Sequence, residues 1–361
     1  MPSARRPILA TAAGYALFTL LGLALHGWTP LWFVWIGERW SDGVIGGRTG
    51  YDGQFVYYLV RDGWAAIPHL DAPAYRMSRI LYPLLAGLLS GRDPQWAPWA
   101  MLAINYAAVI AGTAVVARWL AARDVTPWWA LVYPACAGTL FAYSRDCTEP
   151  VAYALAAAGT VAWIEGRHGR AWLLFALAPL ARETTALFPL GLAAAALAQR
   201  RGLAATALAA SLLPVQAWQI YVRTLTPGAT AGLYGLLHLI RFALTFSHAP
   251  LDAGRLAALL LVGLPTLMLL PGALAWVARS PTSPLPWLIA LNALIVLVAP
   301  APSYLHVLDL GRIAVGLVVA LLLAFPILSP SLRTAIATIA ILPTLIWLAP
   351  MLWWAPWTAV R

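Results

Sequence analysis

The sequence contains no lysine, and charged residues make up only 10% of its 361 positions. A soluble globular domain has about 25% charged residues, so this composition excludes a cytosolic enzyme. There are two cysteines, Cys136 and Cys147, and neither has a motif partner, which excludes a disulfide scaffold. The net charge of +10 comes from 23 arginines that lie mostly between hydrophobic runs, a distribution that argues against nucleic-acid binding.

Apolar residues are in excess: they make up 62% of the chain and give a mean hydropathy of +0.77. Because a membrane span needs roughly 20 apolar residues, we predict an all-α, polytopic transmembrane bundle that forms one integral membrane domain over residues 1–361. The predicted spans lie near residues 8–27, 98–117, 127–143, 150–165, 203–221, 256–278, 286–299, 310–328 and 334–352.

Residues 171–201 are apolar apart from a polar centre that begins at Arg182. One straight helix would place charged groups at mid-bilayer, which is energetically costly. We therefore predict a short helical hairpin whose two helices meet at Arg182. The hairpin brings the predicted number of membrane segments to about eleven.

The distribution of arginines predicts the orientation of the chain. The positive-inside rule places the N-terminus, with Arg5 and Arg6, in the cytoplasm. Of the 13 acidic residues, 11 fall on the opposite, extracytoplasmic side, and only Asp124 and Glu165 are cytoplasmic. Acids hardly influence insertion, so their one-sided distribution indicates a functional face. The Ala-, Arg-, Pro- and Trp-rich composition indicates a bacterial plasma (inner) membrane protein.

Residues 28–97 are predicted to be an extracytoplasmic loop with two interfacial helices. Asp52 precedes an aromatic, apolar stretch that fits a short helix at the interface, and its position suits both a helix N-cap and a catalytic carboxylate. Residues 80–89 are too short to span and form the second interfacial helix. Arg76 and Arg79 would share a helix face if that helix begins early, where they either grip a phosphate or contact lipid headgroups.

Further polar groups lie at the predicted outer ends of other helices. Asp146 and Glu149 separate the third and fourth spans, and Glu183 follows Arg182 at the hairpin tip. An additional outer loop, residues 300–312, contains Tyr304, His306 and a charged pair. Arginines and acids that converge from separate segments favour a pocket. No metal-ligand spacing occurs, so neither a bound metal nor another cofactor is predicted.

The order of these features resembles that of the GT-C glycosyltransferases, in particular the family 39 type, which includes protein O-mannosyltransferases and lipid A aminoarabinose transferases. The matching stretches, which lie within roughly the first 200 residues, are residues 51–54 (YDGQ) for the first-loop aspartate, 81–84 (LYPL) for the proline-containing interfacial helix, 146–150 (DCTEP) for the second outer acid and 180–185 (LARETT) for the hairpin tip. The tip has arginine where the family commonly has lysine.

The resemblance implies a membrane transferase that moves a sugar, with a mannose-like sugar among the candidates, from a polyprenyl-phosphate donor to a glycan, lipid or protein acceptor at the extracytoplasmic face, with inversion. Asp52 would be the general base, and Arg182, Arg76 and Arg79 would hold the departing phosphate. The remaining candidates for substrate binding are Tyr51, Gln54, Asp146, Glu149, Glu183, Tyr304 and His306. Asp146 and Glu149 have a second interpretation as ligands of a divalent cation. The alternative function is a polytopic transporter or a flippase for lipid-linked sugars.

Overall fold

The computed structural model describes residues 3–41, 43, 47, 49–226 and 252–353. Within these ranges the chain is helical and contains no β-strand. The first helices are α1 (Arg5–Leu25), α2 (Leu31–Val34), α3 (Glu38–Ser41), α4 (Asp52–Asp62), α5 (Pro73–Met77), α6 (Leu81–Ser90) and α7 (Ala97–Ala121). The next are α8 (Val132–Ala135), α9 (Ala137–Ser144), α10 (Glu149–Ile164), α11 (His168–Ala181), α12 (Leu187–Ala198), α13 (Gly202–Ala210) and α14 (Leu213–Leu225).

After residue 251 the helices are α15 (Ala253–Ala258), α16 (Leu264–Arg279), α17 (Pro284–Leu297), α18 (Val307–Ala324) and α19 (Pro330–Trp353). A π-helical turn, Leu259–Gly263, joins α15 to α16. Short 3-10 helices lie at Gly63–His69, Pro127–Leu131, Glu183–Ala186, Ala301–Tyr304 and Phe325–Ile327. Asp42 and Arg48, which belong to the glycine-rich start of the predicted outer loop, lie outside the described residues.

Six helical segments within the described ranges are long and apolar enough to cross a membrane, which agrees with a helical membrane protein. They are Arg5–Leu25, Ala97–Ala121, Gly202–Leu225, Ala253–Arg279, Val307–Ile327 and Pro330–Trp353. In Val307–Ile327, 83% of the most apolar 18-residue window is buried inside the protein, whereas the corresponding share is between 22% and 50% in the other segments. Helix α18 is therefore central, and a polar side chain on it faces protein rather than lipid.

Residues 127–143, which we predict as one span, form three shorter helical pieces. The chain is extended at Cys136 (φ −68°, ψ 143°), between α8 and α9. Two residues later α9 crosses the central helix α18 so closely that a Cβ added at Gly138 would lie 2.1 Å from the carbonyl oxygen of Gly311. Only glycine permits this approach, and it packs the start of α9 directly against the backbone of α18.

The predicted break at Arg182 and the two short loop helices are present. Arg182 is extended (φ −158°, ψ 121°) between α11 and the 3-10 turn that leads into α12. Helix α11 packs against α10, and α12 packs against α13 and α17. In the outer loop, α4 and α6 pack against each other. The arginine at the break and the two loop helices form the surroundings of the site described next.

Candidate functional site

Asp52 begins α4 but does not cap it. The N-cap residue is Tyr51, and the cap position makes no side-chain hydrogen bond. The Asp52 carboxylate instead accepts from two arginines: Oδ1 lies 2.9 Å from Nη2 of Arg76, and Oδ2 lies 2.9 Å from Nη1 of Arg312. The cap interpretation is therefore wrong, because ion pairs to other segments hold this carboxylate.

The first turn of α4 is placed by a close backbone contact at Gly53. A Cβ added at this position would lie 2.2 Å from the carbonyl oxygen of Arg145 and 2.9 Å from that of Val34. Both neighbours are backbone atoms, which cannot rotate away as a flexible side chain does. Glycine at position 53 therefore fixes how near Asp52 comes to the turn that precedes α10.

Substituting Gly53 with alanine is expected to displace the start of α4 and with it Asp52. Overpacking of this kind costs about 1–3 kcal/mol, and we expect a clear fall in thermal unfolding temperature. Gly14→Ala is the matched control, because a Cβ there has no heavy atom within 4 Å and alanine favours a helix. Equal unfolding temperatures for the two variants, measured in the same detergent, would contradict the close contact.

Arg76 and Arg79 approach the site from the segment between the two loop helices. Arg76 lies in the last turn of α5, and its Nε donates to Asp71 at 2.7 Å. Arg79 follows the end of that helix and makes two hydrogen bonds to Glu183, from Nε at 2.9 Å and from Nη2 at 2.7 Å. Arg76 and Arg79 do not share a helix face, because the second loop helix, α6, begins only at Leu81 and α5 ends at Met77. Both guanidinium groups still reach one place.

Glu149 lies at the centre of the buried charges. Its side chain is fully buried, and Oε1 accepts from Nη1 of Arg182 at 2.7 Å and from Nε of Arg312 at 2.5 Å. The other oxygen, Oε2, has no hydrogen-bond partner among the described residues. One carboxylate thus links the break after α11 to the central helix α18.

Arg312 was not among the predicted site residues, although it contacts several of them. Besides Asp52 and Glu149 it contacts Tyr51, whose hydroxyl oxygen accepts from Nη1 at 2.7 Å. The Tyr51 hydroxyl in turn donates to Asp309. The sequence feature that could have indicated Arg312 is its pairing with Asp309 at the start of an apolar run. We name the seven groups Asp52, Arg76, Arg79, Glu149, Arg182, Glu183 and Arg312 the arginine–carboxylate cluster.

Asp146 and Gln54 lie beside this cluster in separate hydrogen-bond networks. Asp146 is fully buried and accepts from the Tyr82 hydroxyl and from Nδ2 of Asn105, both at 3.2 Å. Burial raises the pKa of Asp146 to about 7, against the lowering effect of these two hydrogen bonds. Gln54 accepts from the backbone N–H of Gly37 at 3.0 Å and holds the loop before α4. Their roles in substrate binding stay predictions.

Tyr304 and His306 belong to the loop that leads into α18. The Tyr304 hydroxyl donates to the carbonyl oxygen of Val296 at 2.9 Å. His306 accepts through Nδ1 from the backbone N–H of Leu308 at 3.2 Å and so caps α18. Burial lowers the pKa of His306 to about 4. These contacts position the helix that contains Arg312, and substrate binding by either residue stays a prediction.

A small polar cavity at the cluster adjoins a larger apolar one. A small cavity of about 20 Å³ is lined by Asp52, Arg76, Arg79, Arg312, Cys147 and Thr148, among others. A larger, mainly apolar cavity of about 640 Å³ lies between α4, α6 and α14. The two share Leu59 and Pro83 as lining residues. The polar site is therefore adjacent to a space that suits an apolar chain.

Arginines outnumber carboxylates in the cluster by four to three. Burial raises the pKa of Asp52, but Arg76, Arg312 and Arg79 outweigh it and hold that pKa well below its usual range. Within the part of the chain that the structure describes, no group of three or more His, Cys, Asp or Glu side chains is placed to hold a metal ion. Guanidinium groups are common phosphate ligands in proteins. The cavity between these three arginines, at about 20 Å³, admits only a water-sized group, so a phosphate would have to replace the carboxylates that now pair with them.

No family model, curated protein or solved structure matches this chain.

Proposed function

We propose that this protein is an integral membrane glycosyltransferase of the GT-C type that moves a sugar from a polyprenyl-phosphate donor to an acceptor at the extracytoplasmic face. The observation on which the proposal rests is the contact between Asp52 and two arginines, Arg76 and Arg312, in a polar cavity adjacent to a large apolar one. We further propose about eleven membrane segments, a bacterial inner-membrane location and a cytoplasmic N-terminus.

The polar cavity supplies the charges that this reaction requires. A polyprenyl-phosphate leaving group gains negative charge in the transition state, and preorganised guanidinium groups stabilise it there. Arg76, Arg79 and Arg312 line the cavity. Thr148 lines the same cavity, and its buried Oγ1 has no hydrogen-bond partner among the described residues. This hydroxyl is a ready donor to a phosphate or sugar oxygen.

The apolar cavity supplies a place for the lipid of the donor. Its walls include Leu84 and Leu88 of α6 and Trp218 and Tyr221 of α14. Leu88 is 73% exposed and Tyr221 47% exposed, so the cavity has an open side. A polyprenyl chain that enters there places its phosphate at the arginines.

In the proposed reaction Asp52 removes the proton of the acceptor hydroxyl. The hydroxyl oxygen forms a bond to the anomeric carbon from the side opposite the phosphate. The bond between that carbon and the phosphate oxygen breaks, and its electron pair leaves with the polyprenyl phosphate. The anomeric centre is therefore inverted, with one carboxylate and no covalent sugar intermediate.

The ion pairs of Asp52 suggest how the donor activates the base. Without a donor, Arg76 and Arg312 keep the Asp52 carboxylate weakly basic. A donor phosphate bound to the same two guanidinium groups shares their positive charge, and the pKa of Asp52 rises. Proton abstraction is then efficient only when the donor is in place.

The proposal is tested by incubating the purified protein with a panel of polyprenyl-phosphate sugars and candidate acceptors. We expect release of polyprenyl phosphate together with a glycosylated acceptor. Movement of an unchanged lipid-linked sugar across a proteoliposome membrane, without release of polyprenyl phosphate, would instead favour the flippase alternative.

Filling the apolar cavity is expected to weaken donor binding. Gly87 lines this cavity, and an added Cβ would meet only ordinary contacts, at 3.7 Å from Cγ of Arg92 and from the carbonyl oxygen of Val60. For Gly87→Leu we expect a rise of about tenfold in the KM for the donor, as two displaced methylenes predict. Gly272→Leu on α16 is the control, since no heavy atom lies within 4 Å of its added Cβ. An unchanged KM for Gly87→Leu would show that the lipid of the donor does not bind in this cavity.

A further inference from the structure

A second polar cavity lies at the opposite ends of α11 and α12 from the arginine–carboxylate cluster. It has a volume of about 290 Å³ and is bordered by the turns at residues 165–167, 199–201 and 280–283. Helix α11 has 14 residues, which corresponds to a rise of roughly 20 Å between this cavity and Arg182. The cavity is therefore a separate site.

Positive charge is in excess around this cavity. Arg201 and His168 line it, and Arg170 and Arg200 are exposed close by in the chain. These three arginines have no ion-pair partner within the described residues. The acid of the same turns, Glu165, is already paired with Arg167. An anion is therefore the ligand that the local charge favours.

Three helices begin at the rim of the cavity. His168 is the first residue of α11, Arg201 is the N-cap residue of α13, and Pro284 is the first residue of α17. None of the three N-cap residues makes a side-chain cap hydrogen bond. The first N–H groups of these helices add partial positive charge to that of the arginines. Nε2 of Gln199 donates to the carbonyl oxygen of Thr282 at 2.6 Å and so joins two of the turns.

The remaining wall of the cavity is apolar. It includes Trp163 and Ile164, the last two residues of α10, and Leu192 on α12. Trp163 also packs against the ring of His168, with ring centroids 4.4 Å apart. A small free anion would use only the charged rim, whereas a phospholipid also contacts the apolar wall.

We infer that this cavity binds the phosphodiester headgroup of an anionic phospholipid. Arg201 and His168 contact the phosphate, and the acyl chains lie along Ile164 and Leu192. Lipid binding in this cavity is independent of the transferase reaction, because the cavity lies at the other end of the bundle from the arginine–carboxylate cluster.

Binding is measured by native mass spectrometry of the full chain in uncharged detergent, with dioctanoyl phosphatidylglycerol and dioctanoyl phosphatidylcholine as probes. We expect tighter binding of phosphatidylglycerol, and Arg201→Gln is expected to raise its dissociation constant at least about tenfold, as for the loss of one charge-assisted hydrogen bond. His168→Asn is expected to act in the same direction. Unchanged thermal unfolding in lipid-free detergent shows that the variants are folded.

Arg118→Gln is the matched control. Arg118 lies in the last turn of α7, is exposed and does not line the cavity, so its variant removes the same charge elsewhere. Equal weakening by Arg118→Gln, or equal affinity for the two lipids, would overturn the inference. Inorganic phosphate is the third probe: complete competition by it at concentrations similar to those of the lipid would assign the cavity to a free anion instead.

Discussion

Replacing Asp52 with asparagine is expected to reduce sugar transfer at least about a hundredfold, because removal of a general base typically costs 10²–10⁴-fold in rate. The variant keeps the size of the side chain and removes its negative charge and its capacity to accept a proton. The effect is expected in kcat rather than in the KM for the donor, since Arg76 and Arg312 remain. Turnover of the polyprenyl-phosphate substrate identified by the panel is the measurement.

The structure also indicates that this variant folds. Arg76 keeps Asp71 as a partner, and Arg312 keeps Glu149, so neither arginine is left without a carboxylate. Asp62→Asn is the control at the other end of α4, where Asp62 pairs with the neighbouring Arg61 at 2.6 Å. A comparable loss of turnover in both variants would show a general effect on α4. Full turnover by Asp52→Asn would show that Asp52 is not the general base.

The six long apolar helices and the break at Arg182 were predictable because each depends on a local energetic rule. An apolar run of about 20 residues fits a bilayer, and a charge at the centre of such a run is costly. The chain accordingly breaks at Arg182, and the arginine turns into the protein. The same rules do not reveal the interruption at Cys136, because it accompanies a close approach between α9 and α18 that lies outside the local sequence.

The composition of the cluster was predictable only in part. Asp52, Arg76, Arg79 and Arg182 stood out because only 10% of the residues are charged and these four lie next to or between predicted apolar segments. Arg312 did not stand out, since an aspartate and an arginine three residues apart at a helix start are usually an ordinary exposed pair. Its partner Glu149 is 163 positions away, and only the burial of α18 brings the two together.

The second large effect is expected on stability, from removal of the buried carboxylate at position 149. Glu149 is fully buried and accepts from Arg182 and Arg312. In Glu149→Gln, the buried guanidinium of Arg182 loses its ionised partner. Breaking a buried pair by removing one partner costs about 3–5 kcal/mol. We expect a loss of this size in the free energy of unfolding, measured by denaturant titration in mixed micelles.

The exposed ion pair between Arg167 and Glu165 is the matched control. Its side chains are 50% and 34% exposed, so Glu165→Gln is expected to change the unfolding free energy by at most about 1 kcal/mol. The double variant Glu149→Gln/Arg182→Gln is expected to lose less than the sum of the two single variants, because it removes the unpaired charge together with the carboxylate. Additive losses, or a Glu149→Gln effect as small as that of Glu165→Gln, would show that Glu149 does not hold these arginines. Partial recovery in the double variant would identify the unpaired arginine as the source of the instability.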